Sequence, residues 1–167
     1  MIIYRYVDSS HTAIAVIEGG KVVKTILNGI VPRGSRILPF LSSLSEWKTY
    51  LKEQVTTKRE TVEKGGVVVN GNTIKTDNES QAKLTGALVF VGRSPQRQIK
   101  WKGANNSFTS LNKTQIEAIS DAVGEFVVLC YDAEAAHYDS IDALLTTEDC
   151  ALYLTNNLNT GWPNNGN

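Results

Sequence analysis

The chain has 167 residues, enough for one core or for a small module joined to a second. Seventeen basic and seventeen acidic side chains cancel, which removes the whole-molecule field that would favour nucleic acid or anionic lipid. An apolar content of 41% belongs to an ordinary soluble protein. No apolar run approaches the roughly 20 residues that cross a bilayer.

In chain order, the beginning MIIYRYVDSS lacks the basic region and long apolar run of a secretory leader, so synthesis in a cytoplasm is expected. Residues 1–31 read as a β meander of about three strands. Ile2, Tyr4 and Tyr6 alternate with Ile3, Arg5 and Val7, and Asp8-Ser9-Ser10 makes a turn. TAIAVIE and KVVKTIL then flank Gly19-Gly20, a two-residue hairpin signature. Three strands bury too little alone and call for further apolar cover. VPRGSRILPF, with two prolines and a glycine, reads as a linker or extended arm.

A helix is expected from Ser42 or Ser43. Leu44, Trp47, Leu51 and Val55 fall at helical spacing, with Glu46, Lys48, Lys52 and Glu53 on other faces. It runs on through the polar TTKRETVEK to Gly65-Gly66 and reads as a bridge between modules or a helix packed on a partner.

Between Gly65 and Leu111 come two compact β segments. In the first, GGVVVNGNTIKTD, Asn70-Gly71 suits a tight hairpin, because both central residues of that turn take φ > 0. Asp77 or Asn78 then caps a helix carrying Leu84, Ala87, Leu88 and Val91, which stops near Gly92 and Pro95. In the second, QIKWKGANNSFTSL, Ile99, Trp101 and, past the Gly103–Asn106 turn, Phe108 form the apolar alternation. Asn112 with Gln115 makes a capping box for the last, long helix. Its stripe is Ile116, Ile119, Val123, Phe126 or Val127, Cys130, His137, Ile141 and Leu144 or Leu145. Thr146 and Asp149 cap a short final turn through Leu152 and Leu154. The tail NNLNTGWPNNGN is too polar to hold a structure by itself.

The fold class is therefore α+β: an N-terminal β meander, a bridging helix, then a module of two hairpin-plus-helix units ending in a long helix. The boundaries read as 1–40 for the attachment region and arm, 41–65 for the bridge, 66–155 for the C-terminal domain and 156–167 for the tail. The expected core is Trp47, Leu88, Trp101, Phe108, Ile116 and Phe126.

The residues offer no catalytic motif. There is no GxxxxGK[ST] phosphate loop and no GxGxxG after a strand. Cys130 precedes His137 by two helical turns and shares its face, and Cys150 could fold back towards them. That spacing fits no zinc pattern, so both cysteines read as small buried hydrophobes and not as a disulfide, dyad or metal site. Asp132, Glu134, Asp139 and Asp142 read as a solvated helix face. Lys100 and Lys102 point away from Trp101, which argues against a stacking platform for bases. No cofactor, metal or catalytic residue is assigned.

GNTIKTDNESQAKL, IKWKGANNSFTSLNKTQIEAISDAVGEFV and IDALLTTEDC together resemble the C-terminal domain of unknown function in small tail-fibre and tail-fibre-assembly-associated proteins of tailed bacteriophages. The matching pieces are the G-x-x-I-x-T-D-x-x-S run at Gly71 to Ser80, Trp101-Lys102, and the F-T-S-L-N opening of the long helix. The resemblance covers roughly residues 45–153, with Glu46-Trp47 near its start. The 1–40 region departs from it in being more β-rich and aromatic than a simple chaperone.

What the resemblance implies is a non-enzymatic structural protein of a phage tail, in or beside a tail fibre or baseplate. The alternative is a tail-fibre assembly chaperone. The implied partners are other tail, fibre or baseplate proteins in a homo-oligomer or hetero-complex, with no nucleic acid or membrane partner, and the location is the virion tail. Ile2, Tyr4, Tyr6, Ile37, Phe40 and Trp162 are the expected partner-contacting residues, with the meander joining another chain's sheet edge and the arm wrapping a partner.

Overall fold

The computed structural model describes residues 2–7, 13–18, 21–27, 31, 37–38, 41–103 and 106–165. The Asp8–Ser10 and Gly19-Gly20 turns, His11 and Phe40 lie outside the described residues. The elements run β1 (Ile2–Tyr6), β2 (Ala13–Glu18), β3 (Lys21–Leu27), β4 (Ile37–Leu38), α1 (Leu44–Glu63), β5 (Val67–Val69), β6 (Asn72–Ile74), α2 (Asn78–Arg93), β7 (Ile99–Lys102), β8 (Phe108–Leu111), α3 (Lys113–Asp142) and α4 (Thr147–Asn156). The fold is α+β, as expected.

Packing divides the chain into residues 1–54 with 139–158, and residues 55–138 with 159–167. This grouping differs from boundaries drawn at element ends, because α1 and α3 each contribute turns to both units.

The first unit holds a four-stranded sheet ordered β3-β2-β1-β4. β2 lies inside it, with Ala13, Ile14, Ala15 and Ile17 all buried, so both of its faces are covered. Part of the expected extended arm joins this sheet. Ile37-Leu38 pairs parallel to Tyr4-Arg5, and Leu38 is buried. Two apolar residues after a proline-bearing stretch do better against an open strand edge than in water. β1 is consequently an interior strand, with Tyr4, Tyr6 and Ile37 half-buried.

In the same unit Trp47 and Leu51 of α1 are fully buried, as are Ile141 and Cys150. Trp47 meets Tyr50 edge-on with ring centres 6.1 Å apart. α1 starts at a capping box: Ser43 Oγ accepts the Glu46 amide at 3.2 Å, and Glu46 Oε2 accepts the Ser43 amide at 3.1 Å. α3 has no basic residue in its last turn, but Lys48 of α1 donates to the Asp142 carbonyl at 2.8 Å. Lys52 reaches the Asp142 carboxylate at 2.8 Å, and both cations oppose the negative helix end.

The second unit contains hairpins β5-β6 and β7-β8, with α2 and most of α3. Its core joins Ile74, Leu84, Val91, Leu111, Ile116, Ile119 and Val123, with Leu88 and Trp101 packed at its margin. The Asn70-Gly71 turn has φ of 52° and 75°, as the hairpin type demands. Gly66 is also left-handed, and a Cβ there would press on the Ile74 carbonyl oxygen at 3.0 Å. Asp77 caps α2 through the Ser80 amide, and Asn112 and Gln115 exchange two 3.0 Å bonds at the start of α3.

One expectation fails in this unit. Phe108 is not core: it is 67% exposed. The register pairs Trp101 with Thr109 and Lys102 with Phe108, so the turn shifts Phe108 onto the lysine face and leaves Leu111 to fill the core. The described part of the tail is held by other elements and not by itself. Trp162 stacks on the buried His137 at 4.8 Å, Thr160 O lies 3.0 Å from His137 Nε2, and Asn165 O accepts the Val68 amide at 2.8 Å. One aromatic anchor and backbone bonding offset the low apolar content of the segment.

Candidate functional site: open strand edges and a buried charge network

Each hairpin has two outer edges. In β5-β6 a two-residue turn makes Val69 and Asn72 a hydrogen-bonded pair, so the peptide groups of Val68 and Thr73 face outward on opposite edges. The Val68 edge is covered by Asn165. The Thr73 edge has no backbone partner among the described residues. In β7-β8 the Gly103 amide bonds the Ser107 carbonyl at 2.9 Å. Alternation from that bond turns the peptide groups of Lys100 and Lys102 away from β8, again without a partner among the described residues.

These two unpaired edges line one cavity of about 560 Å³. Thr73 and Ile74 form one wall, Lys100 to Gly103 the other, and Ala87 and Phe90 of α2 close it from the helix side. Lys75, Lys100 and Lys102 are exposed. The nearby acids are engaged elsewhere: Glu79 binds Lys83 at 2.5 Å, and Asp77 caps α2. The Ser80 bonds hold the Asp77 carboxyl below its ordinary range. A second cavity of about 580 Å³ borders Asn72, Trp101, Thr109, Leu111 and Gln115, and is lined by amides, hydroxyls and apolar groups without a charge.

The helices add exposed apolar surface. Val89 and Phe90 of α2, and Val128, Leu129 and Tyr131 of α3, stand in solvent. Val89–Phe90 and Val128–Leu129 are each adjacent in the chain, whereas isolated exposed apolar residues are unremarkable.

Sequence reasoning missed a buried charge network. The α1 stripe Trp47, Leu51, Val55 continues as Arg59 and Glu63, only 8% and 7% exposed. Arg59 pairs with Glu63, and its Nε lies 2.7 Å from Glu134 Oε2. Glu134 also accepts from Thr56 Oγ1 at 2.5 Å, and Thr56 lies 2.8 Å from Tyr138 Oη. Arg59 sits 4.6 Å over the Tyr131 ring. Burial works against the Arg59 charge, but Tyr131, Glu134 and Glu63 outweigh it and raise the guanidinium's pKa further. Glu134 is therefore corrected from solvated face to half-buried ion-pair partner, whereas Asp132, Asp139 and Asp142 are exposed. The available signal was the four-residue spacing Val55, Arg59, Glu63.

Cys130 and Cys150 are both free and buried, and they belong to different packing units. Burial, aided by the Glu63 charge, pushes the Cys130 thiol up to about 11, and burial raises Cys150 as well. Among the described residues no group of three His, Cys, Asp or Glu could hold a metal ion, and no helix is long and apolar enough to cross a membrane. Of the expected partner residues, Trp162 is half-buried and stacks on His137, and the side chain of Ile2 lies outside the description.

No curated protein and no solved structure matches this chain. One family does: the model of the domain of unknown function DUF4376 matches residues 46–153, well over half of the sequence. It begins on the Glu46 of the first helix cap and runs through both hairpins to Tyr153 of α4. The chain belongs to the DUF4376 family.

Proposed function

We propose that this protein is a non-enzymatic structural component of a bacteriophage tail, attached to a tail fibre or baseplate and acting through protein–protein contacts. The observation that carries the reading is the resemblance of Gly71–Ser80, Trp101-Lys102 and Phe108–Asn112 to tail-associated proteins. Two features support it. Those residues build a turn, a strand pair and two helix caps, the framework that holds the contact surfaces in place. The edges of β6 and β7 also lack backbone partners among the described residues, and α2 and α3 expose apolar side chains, which suits assembly.

An assembly chaperone that leaves the finished fibre is the second reading. The open edges of β6 and β7 favour it equally, since an unfinished fibre segment could pair there transiently. Quantitative mass spectrometry of purified particles and of infected cells separates the two. A fixed copy number per particle is the expected result. Peptides present in infected cells and absent from particles would leave only the chaperone.

A further inference from the structure

We infer that the cavity between β6 and β7 is a strand-acceptor site, and that its occupant is an extended segment of a partner protein alternating apolar and acidic residues. The proposal supplies the partner chemistry of the assembly reading and rests on that reading only in expecting a protein partner.

Three observations converge. First, the two edges are complementary to a strand and not to each other. The outward peptide groups of Thr73 on one side, and of Lys100 and Lys102 on the other, lack partners among the described residues although they line the same space. A strand laid between them would satisfy both rows and join two isolated two-stranded ribbons into one five-stranded sheet. Second, the chain covers the comparable edge elsewhere. The tail carbonyl of Asn165 closes β5 on the far side of the same hairpin, whereas nothing described closes β6. Unprotected edges are a hazard that folds usually blunt, which makes an open pair facing one cavity a feature in need of an occupant.

Third, the walls specify side chains. Ile74 and Trp101 point to the core side and Ala87 lies beneath, so inward residues of the guest meet apolar groups. Thr73, Lys75, Lys100 and Lys102 occupy the opposite, exposed face. Lys100 and Lys102 have no ion-pair partner among the described residues, while the local acids Asp77 and Glu79 are already engaged. Outward guest positions should therefore carry Asp or Glu, since opposite charges on adjacent strands attract and like charges repel.

The test uses the full chain and an acetylated, amidated Glu-Val-Glu-Val-Glu peptide, followed by NMR-detected amide exchange and by titration. Binding should slow exchange of the Thr73, Lys100 and Lys102 amides at least about tenfold. A Lys-Val-Lys-Val-Lys peptide should not bind. The double variant Lys100→Glu, Lys102→Glu alters only exposed side chains and should weaken the acidic peptide at least about tenfold while accepting the basic one. Absence of binding, protection confined to β8 or the helices, or affinity unchanged by charge reversal would each overturn the proposal. None of these outcomes bears on whether the protein is found in particles, so failure here and failure of the assembly reading are distinguishable.

Discussion

Asn165 and Val68 are joined by a 2.8 Å backbone hydrogen bond, almost a hundred positions apart in the chain, so the tail serves as cover for the outer edge of β5. The Trp162 ring stacked on His137 holds that cover in place. Trp162→Ala should therefore speed amide exchange at Val68 while leaving the interior pair Val69–Asn72 protected. Exchange at Val68 unchanged in that variant would mean that the edge is held by something other than the tail.

The corrected placement of Phe108 has a direct mutational reading. Phe108→Ser removes an exposed ring and should change stability by no more than about 0.5 kcal/mol. Trp101→Ala opens the margin of the core and should cost about 2–4 kcal/mol. Urea denaturation of the two variants checks the order. Equal losses would show that Phe108 packs inward after all.

Arg59 and Glu134 lie on different helices and are both shielded from water, so their energies should not add. Arg59→Ala leaves the buried Glu63 and the half-buried Glu134 without their cation and should cost about 3 kcal/mol. Glu134→Ala also strips Thr56 of its acceptor. In a double-mutant cycle the pair should show a coupling of about 1–3 kcal/mol. A coupling near zero would reduce the network to independent surface contacts.

Cys130 gives a pH signature whose sign follows from burial. Its folded pKa, about 11, lies above the ordinary thiol value of 9.0. The unfolded chain thus loses that proton first as pH rises, and stability contributed by the neutral buried thiol declines between about pH 9 and 11. Cys130→Ala should remove that component, so the stability difference between wild type and variant should shrink across this window. Alkylation of Cys130 at pH 8 in the native protein should also be slow, because little thiolate is present.

The hairpin turn and two of the caps were legible in the sequence because each is written within four residues: Asn70-Gly71, Asp77 at the start of α2, Asn112 with Gln115. What escaped depends on long-range partners. Arg59 and Glu63 look solvated until Glu134 is brought beside them. Phe108 changes sides because the turn sets a register that alternation within one strand does not encode. Ile37-Leu38 and the tail become ordered by strand edges that lie far away in sequence. The candidate site was half-visible in the same way: the opposition of Lys100 and Lys102 to Trp101 could be read locally, but the facing edge of β6 could not.

Zero-length carbodiimide cross-linking of purified phage particles, read by mass spectrometry, tests both the tail assignment and the strand-acceptor site. This chemistry joins a lysine only to a carboxylate in contact with it. The expected result is the chain at fixed copy number, with Lys100 or Lys102 joined to an Asp or Glu of another tail protein. Absence of the chain from the particles, or its presence with neither lysine joined to a second protein, would contradict it.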